Sequence, residues 1–173
     1  MVDTAEHDTD ATERGTDGTV APIRRVVAIL SPNDTVQAVD TITLDHHART
    51  VRRRVLVGEG GTRVALDEAA TVTLQPGALL ALDGGSRLRV AAAREPCHRI
   101  EPGGSASLAE LAWHLGNRHA MVEIVGNALR IARDPVLARM AEGMGATVRE
   151  ETAPFAPLRG AYHAHSHAHG TSE

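Results

Sequence analysis

The sequence predicts an α+β protein: a small N-terminal all-β domain, then a ferredoxin-like βαββαβ domain with a flexible His-rich C-terminal tail. Three observations lead there. Residues 22–96 are filled by short apolar runs with strand spacing and hold no helical stripe of ordinary length. Two helix-start signatures, each followed by a stripe of period 3.6, fall within residues 97–153. Near the end, Tyr162-His163-Ala164-His165-Ser166-His167-Ala168-His169 alternates imidazoles with small residues.

Residues 1–21 carry six acids (Asp3, Glu6, Asp8, Asp10, Glu13, Asp17) against Arg14, with Thr and Gly but no periodicity, and read as a disordered acidic tail. In the all-β stretch 22–96, Val26 to Leu30 is an apolar run stopped by Ser31-Pro32, and Thr41 to Leu44 is rich in β-branched residues. Val51, Val55 and Val57 are expected to share one face of a strand. Val64, Leu66, Val72 and Leu74 follow. Leu79–Leu82 and Leu88–Ala92 flank Asp83-Gly84-Gly85-Ser86, a hairpin turn signal.

After Pro96 the pattern changes. His98 to Glu101 suits a short strand. Ser107-Leu-Ala-Glu110 is a capping box, in which hydroxyl and carboxylate reciprocally satisfy two orphan amides. Leu108, Leu111, Ala112 and Leu115 form the stripe of a helix over 108–115, and Gly116 is expected to supply its left-handed cap. Gly126-Asn127 joins Met121–Val125 to Ala128–Ala132 as a hairpin. Asp134-Pro135 combines an N-cap with the proline favoured at the first helical position. Leu137, Met140, Ala141 and Met144 follow, Gly145 stops them, and Thr147–Glu151 is the last strand. The order is the ferredoxin-like one, over 97–153, leaving 154–173 as the His-rich tail.

Composition excludes several chemistries. All 18 basic residues are Arg, so no Schiff-base or P-loop lysine exists. One Cys allows neither an internal disulfide nor a multi-cysteine metal site. Three aromatics cannot form the stacking platforms of a nucleic-acid binder. No window approaches the ~18 apolar residues of a membrane span, and the start lacks a signal peptide's basic and apolar regions. The expected setting is the cytoplasm.

Histidine is the residue in surplus, ten in all. An unperturbed imidazole is mostly unprotonated at neutral pH, so His163, His165, His167 and His169 offer lone pairs to a metal. A purification tag is normally an uninterrupted run; this segment alternates and ends Gly-Thr-Ser-Glu. His114 and His119 lie five apart, about 140° around a helix, so they cannot act as a zincin-type pair. His119 falls past the helix end. As a ligand it needs imidazoles from elsewhere, either from the tail or from its own copy across a two-fold axis. Ten residues separate Ala153 from His163, at most about 33–36 Å of chain.

Other clusters carry less. Gly58-Glu59-Gly60-Gly61 has no helix after it and reads as a turn. Arg49, Arg52, Arg53 and Arg54 read as a solvated strand face. Cys97 and His98 point to opposite faces of a strand and cannot pair as nucleophile and base. His46-His47 lies near a turn, on the surface.

Trp113-His-Leu-Gly-Asn-Arg-His119, Asp134-Pro-Val-Leu137, Gly143-Met-Gly-Ala146 and Ala153-Pro-Phe-Ala-Pro157 through Gly160-Ala-Tyr162 resemble the UreE family, the urease accessory nickel chaperones. The resemblance covers about residues 50–170. It implies a peptide-binding-like N-terminal β domain and a dimeric ferredoxin-like domain. It matches His119 to the interfacial nickel ligand, one from each protomer, and His114 to an upstream motif histidine. Arg133 and Pro135 stand where some members carry histidines, so a secondary site there is not expected. Ala156, Leu158 and Arg159 stand where acids often follow the Phe.

The reading that results is a non-enzymatic nickel metallochaperone acting in urease active-site assembly. Its metal-site residues are His119, His163, His165, His167, His169 and His114. Ni²⁺ is the cargo, with Cu²⁺ or Zn²⁺ able to bind in vitro. The implied partners are a second copy, apo-urease and the other urease accessory proteins, including the GTPase UreG, with no nucleic acid and no membrane. The alternative is a peptide-binding interaction module with a metal-storing tail. A hydrolytic metalloenzyme is disfavoured, because no ligand motif has a carboxylate base at usable spacing.

Overall fold

A computed structural model describes residues 21–34 and 36–158. All but the last residue of the expected acidic tail, and the four tail histidines, lie outside that range.

The β-rich part contributes β1 (Ile23–Leu30), β2 (Asp40–Leu44), β3 (Thr50–Val57), β4 (Arg63–Thr73), β5 (Leu79–Leu82) and β6 (Arg87–Ala92) to one sheet ordered β2-β6-β5-β1-β4-β3. The hairpin expected at 83–86 joins β5 to β6, which pair antiparallel. β1 runs parallel to β4 and β2 parallel to β6. The two outer strands are drawn together, because the Glu59 amide beyond β3 donates to the Thr41 carbonyl of β2 at 2.8 Å. Their alternating inward residues, among them Ile42, Leu56, Val64, Leu80, Leu88 and Val90, form one core.

The Gly58-Glu59-Gly60-Gly61 turn is part of this closure. The Asp40 carboxylate accepts the amides of Gly60 at 2.9 Å and Thr62 at 3.1 Å. Burial raises the Asp40 pKa, but the surrounding donors outweigh it and hold the group below its ordinary value. A Cβ on Gly58 would sit 2.2 Å from the Asp40 carboxylate. Gly58→Ala should therefore destabilise the chain by about 1–3 kcal/mol, the usual range for overpacking, as read by urea denaturation; an unchanged midpoint would contradict this account of the turn.

Strand β3 corrects one expectation. Val51 is buried, but Val55 and Val57 are exposed, and Leu56 takes the inward place. The register to β4 shifts between Val51 and Arg53. Across this irregularity a single residue of β3, Arg52, stands opposite four of β4, 68–71, so the register is offset by three and the alternation begun at Val51 does not carry on to Val55 and Val57.

The second sheet is formed by β7 (Arg94–Glu101), β8 (Val122–Val125), β9 (Ala128–Ala132) and β10 (Thr147–Pro154) in the order β10-β7-β9-β8, with α1 (Leu108–Gly116) and α2 (Pro135–Gly143) as crossovers. All its pairs are antiparallel, the ferredoxin-like arrangement. β7 and β10 are longer than their apolar runs suggest, because they pair along eight residues. Ile100, Leu129 and Ile131 face the helices, packing with Leu111, Leu115 and Ala141.

Local signals hold at α1 and α2. Ser107 and Glu110 form both bonds of the capping box. The Asp134 side chain accepts from Val136 and Leu137. Gly126 takes φ +62° while Asn127 keeps a negative φ, as in a type II′ hairpin turn. No helix among the described residues is long and apolar enough to cross a membrane.

Candidate metal centre

The end of α1 departs from expectation in a way that concerns His119. Gly116 remains inside the helix, and the left-handed residue is His119, at φ +56°, the one non-glycine with positive φ among the described residues. The His119 amide donates to the Gly116 carbonyl at 2.9 Å and the Ala120 amide to the Leu115 carbonyl at 3.1 Å. This pair of bonds is a Schellman motif with His119 at the position that glycine normally fills.

α2 ends in the same motif, but with Gly145 (φ +94°) at that position, bonded to Glu142, and Ala146 bonded to Ala141. In both, the residue after the left-handed one is apolar and packs into the core: Ala120 beside Leu115, Ala146 beside Ala141. A cap at Gly116 would have put Asn117 in that apolar place. Core packing therefore selects His119 and holds it in a conformation that costs an L-residue roughly 1–2 kcal/mol. Its side chain is exposed.

His114 is half-buried on α1, its ring edge-on to Trp113 with centroids 4.8 Å apart. The Arg118 guanidinium donates to the His114 carbonyl at 3.0 Å, which ties the end of the helix down. Among the described residues no group of three or more His, Cys, Asp or Glu side chains converges as a metal site. His119 thus stands as a single presented imidazole and fits a metal only with ligands brought to it. Cys97 and His98 are both buried on β7, and both ring nitrogens of His98 are sealed without a partner. His98 is a core residue.

What sequence reasoning missed is how the chain reaches His119 from β10. Beyond Pro154, Phe155 is fully buried. Its carbonyl accepts from the Arg49 guanidinium at 2.5 Å, and its ring meets His46 edge-on at 5.1 Å. Arg49 is buried, so it is not part of a solvated basic face as expected; Arg52, Arg53 and Arg54 are exposed. Burial lowers the Arg49 pKa, and Glu95 and Glu123 act against that. Arg130, on the face turned away from the helices, bonds Glu123 at 2.9 Å, Glu151 at 2.6 Å and the Pro154 carbonyl at 3.1 Å. The chain then crosses from β10 on one sheet edge to β8 on the other, where the Leu158 amide donates to the Val122 carbonyl at 2.8 Å. Leu158 is consequently fixed beside a residue three positions after His119. Trp113, Met121 and Leu158 are 63%, 47% and 62% exposed. His163, His165, His167 and His169 lie outside the described residues.

A β-rich N-terminal part joined through Arg49, His46 and Phe155 to a ferredoxin-like domain, with the exposed imidazole of His119 on the latter, defines an α+β protein. Residues 95–173 match the family described as UreE urease accessory protein, C-terminal domain. The urease accessory protein UreE of Sinorhizobium fredii is 47% identical over 144 residues, 83% of this chain and 91% of that one. Its counterpart in Rhizobium meliloti is 44% identical over 144 residues, 83% and 94% of the two chains. That of Rhizobium rhizogenes is 44% identical over 132 residues, 76% and 79%. The chain belongs to the UreE urease accessory protein family.

Proposed function

We propose that this protein is a nickel metallochaperone in urease assembly. It acts as a cytoplasmic homodimer in which His119 and its symmetry mate form the primary Ni²⁺ site. His163, His165, His167 and His169 complete the coordination or recruit metal, and the ion passes to apo-urease together with the other accessory proteins, including the GTPase UreG. The protein carries metal as cargo and performs no catalysis.

The observation that supports this best is the anchor at Leu158. From there to His163 is five residues, at most about 17–18 Å of chain, against about twice that if the tail were free from Ala153. A tether so short keeps tail imidazoles near His119 at an effective concentration in about the mM range. The exposed Trp113, Met121 and Leu158 supply apolar area for the contact between copies. Family membership, not the ligand set, is the ground for nickel, because imidazoles alone favour Cu²⁺.

Titration calorimetry tests the assignment. His119→Ala should remove the single high-affinity Ni²⁺ per dimer. Unchanged stoichiometry would sink it. Removing residues 163–173 should leave a bridging nickel that binds more weakly; if all tight binding vanishes with the tail, the protein is instead an interaction module with a metal-storing end.

A further inference from the structure

We propose that the junction between the two sheets carries a second transition-metal site, with His46 and His47 as its imidazole ligands. The two histidines follow β2 in a tight turn. The Asp45 side chain accepts the Ala48 amide at 2.6 Å, the Arg49 amide reaches the Asp45 carbonyl at 3.1 Å, and the Thr50 amide reaches His47 at 3.0 Å. The Ala48 amide, partly opposed by burial, holds the Asp45 carboxyl below its ordinary value. On a strand, neighbouring side chains would diverge. In this turn the two rings lie against each other, with centroids 3.9 Å apart and planes inclined by 39°.

Glu95 prepares one of the two. Its carboxylate takes the His46 amide at 2.9 Å and His46 Nδ1 at 2.6 Å. A carboxylate on Nδ1 keeps the proton there and leaves Nε2 with its lone pair, the arrangement that stands behind metal-bound imidazoles. Among the described residues His46 Nε2 has no hydrogen-bond partner, yet it is not among the side-chain atoms sealed from solvent, unlike both nitrogens of His98. Both histidines line a cleft of about 240 Å³ whose far wall includes Ala120 and Met121, the residues that directly follow His119.

No third His, Cys, Asp or Glu joins the pair among the described residues. In the proposed site water fills the remaining positions around the ion. Two imidazoles suit a divalent Ni, Cu or Zn ion, and exchangeable waters suit one held in passing. The site is independent of His119.

The test uses the full chain with His119 and the four tail histidines replaced by Ala, titrated with Cu²⁺ and followed by electron paramagnetic resonance. One Cu²⁺ per chain should bind, with coupling to two imidazole nitrogens. Adding His47→Ala should reduce the coupling to one nitrogen and weaken binding by more than ~10-fold, since second-shell changes alone cost about 10–100-fold. Its melting temperature should not change, because His47 is exposed and its ring has no hydrogen-bond partner among the described residues. Glu95→Gln should weaken binding within that 10–100-fold range. The proposal is overturned if the starting variant binds no Cu²⁺, or if His47→Ala alters neither affinity nor spectrum. Neither result bears on the His119 site.

Discussion

His119→Gly should stabilise the metal-free protein while weakening the proposed Ni²⁺ site by more than ~10-fold. The two effects have separate causes. His119 holds a left-handed backbone at φ +56°, in a motif that α2 closes with Gly145. Relief of a strain of roughly 1–2 kcal/mol, less the ~0.5–1 kcal/mol that glycine's freedom adds to the unfolded chain, leaves a gain of about 0.5–1 kcal/mol. For a chain of this length that raises Tm by about 1–4 °C. His119→Ala should lose the same metal affinity without the gain, because alanine cannot relax into the left-handed region. Denaturation and calorimetry on both variants decide it: a less stable His119→Gly protein would show that the cap is not strained. The expected result also gives a reason for the residue. Packing of Ala120 asks for glycine at 119, and the sequence keeps there the imidazole on which the proposed nickel site depends.

Phe155→Ala should cost about 3–5 kcal/mol, the range for deleting a fully buried Phe, and should loosen the hold on the tail. Phe155 lies where Arg49 and His46 of one sheet meet the segment that leaves β10 in the other. Without the ring, the crossing from Pro154 to the Leu158–Val122 bond loses its support. The His-rich end would then move on a longer tether, and its effective concentration at His119 would fall. The expected Ni²⁺ isotherm keeps a His119-dependent site but loses affinity that removal of residues 163–173 would also remove. Phe155→Leu should retain most of the stability and the affinity. If Phe155→Ala destabilises the protein yet binds Ni²⁺ as the unmodified chain does, the crossing segment does not position the tail.

The features behind these two effects differ in legibility. Ser107 with Glu110, Asp134 with Pro135, the Gly126-Asn127 turn and the 83–86 hairpin are readable because each signal lies within four consecutive residues and acts on its own backbone. The register shift between β3 and β4 is not, since alternation along Val51, Val55 and Val57 says nothing about extra residues on β4. The cap at His119 was half readable. Gly116 is the stronger local signal, but the apolar Ala120, not the polar Asn117, fits the core after the turn. The candidate centre divides the same way. His119 and the four tail histidines stand out in the sequence by motif and repetition, whereas His46-His47 looks like an ordinary surface pair until Glu95 is placed against it.

The sequence by itself determined the order of strands and helices, the two helix starts, the excluded chemistries and the imidazoles available to a metal. These follow from residue types and short spacings. Only the tertiary structure decided where those imidazoles can act. The bonds that do so join His46 to Glu95 across 49 positions and Arg49 to Phe155 across 106, and no local pattern encodes a partner so distant. They form because folding brings two sheets together around one buried ring, and that seam leads to Leu158, which bonds Val122, three positions after His119.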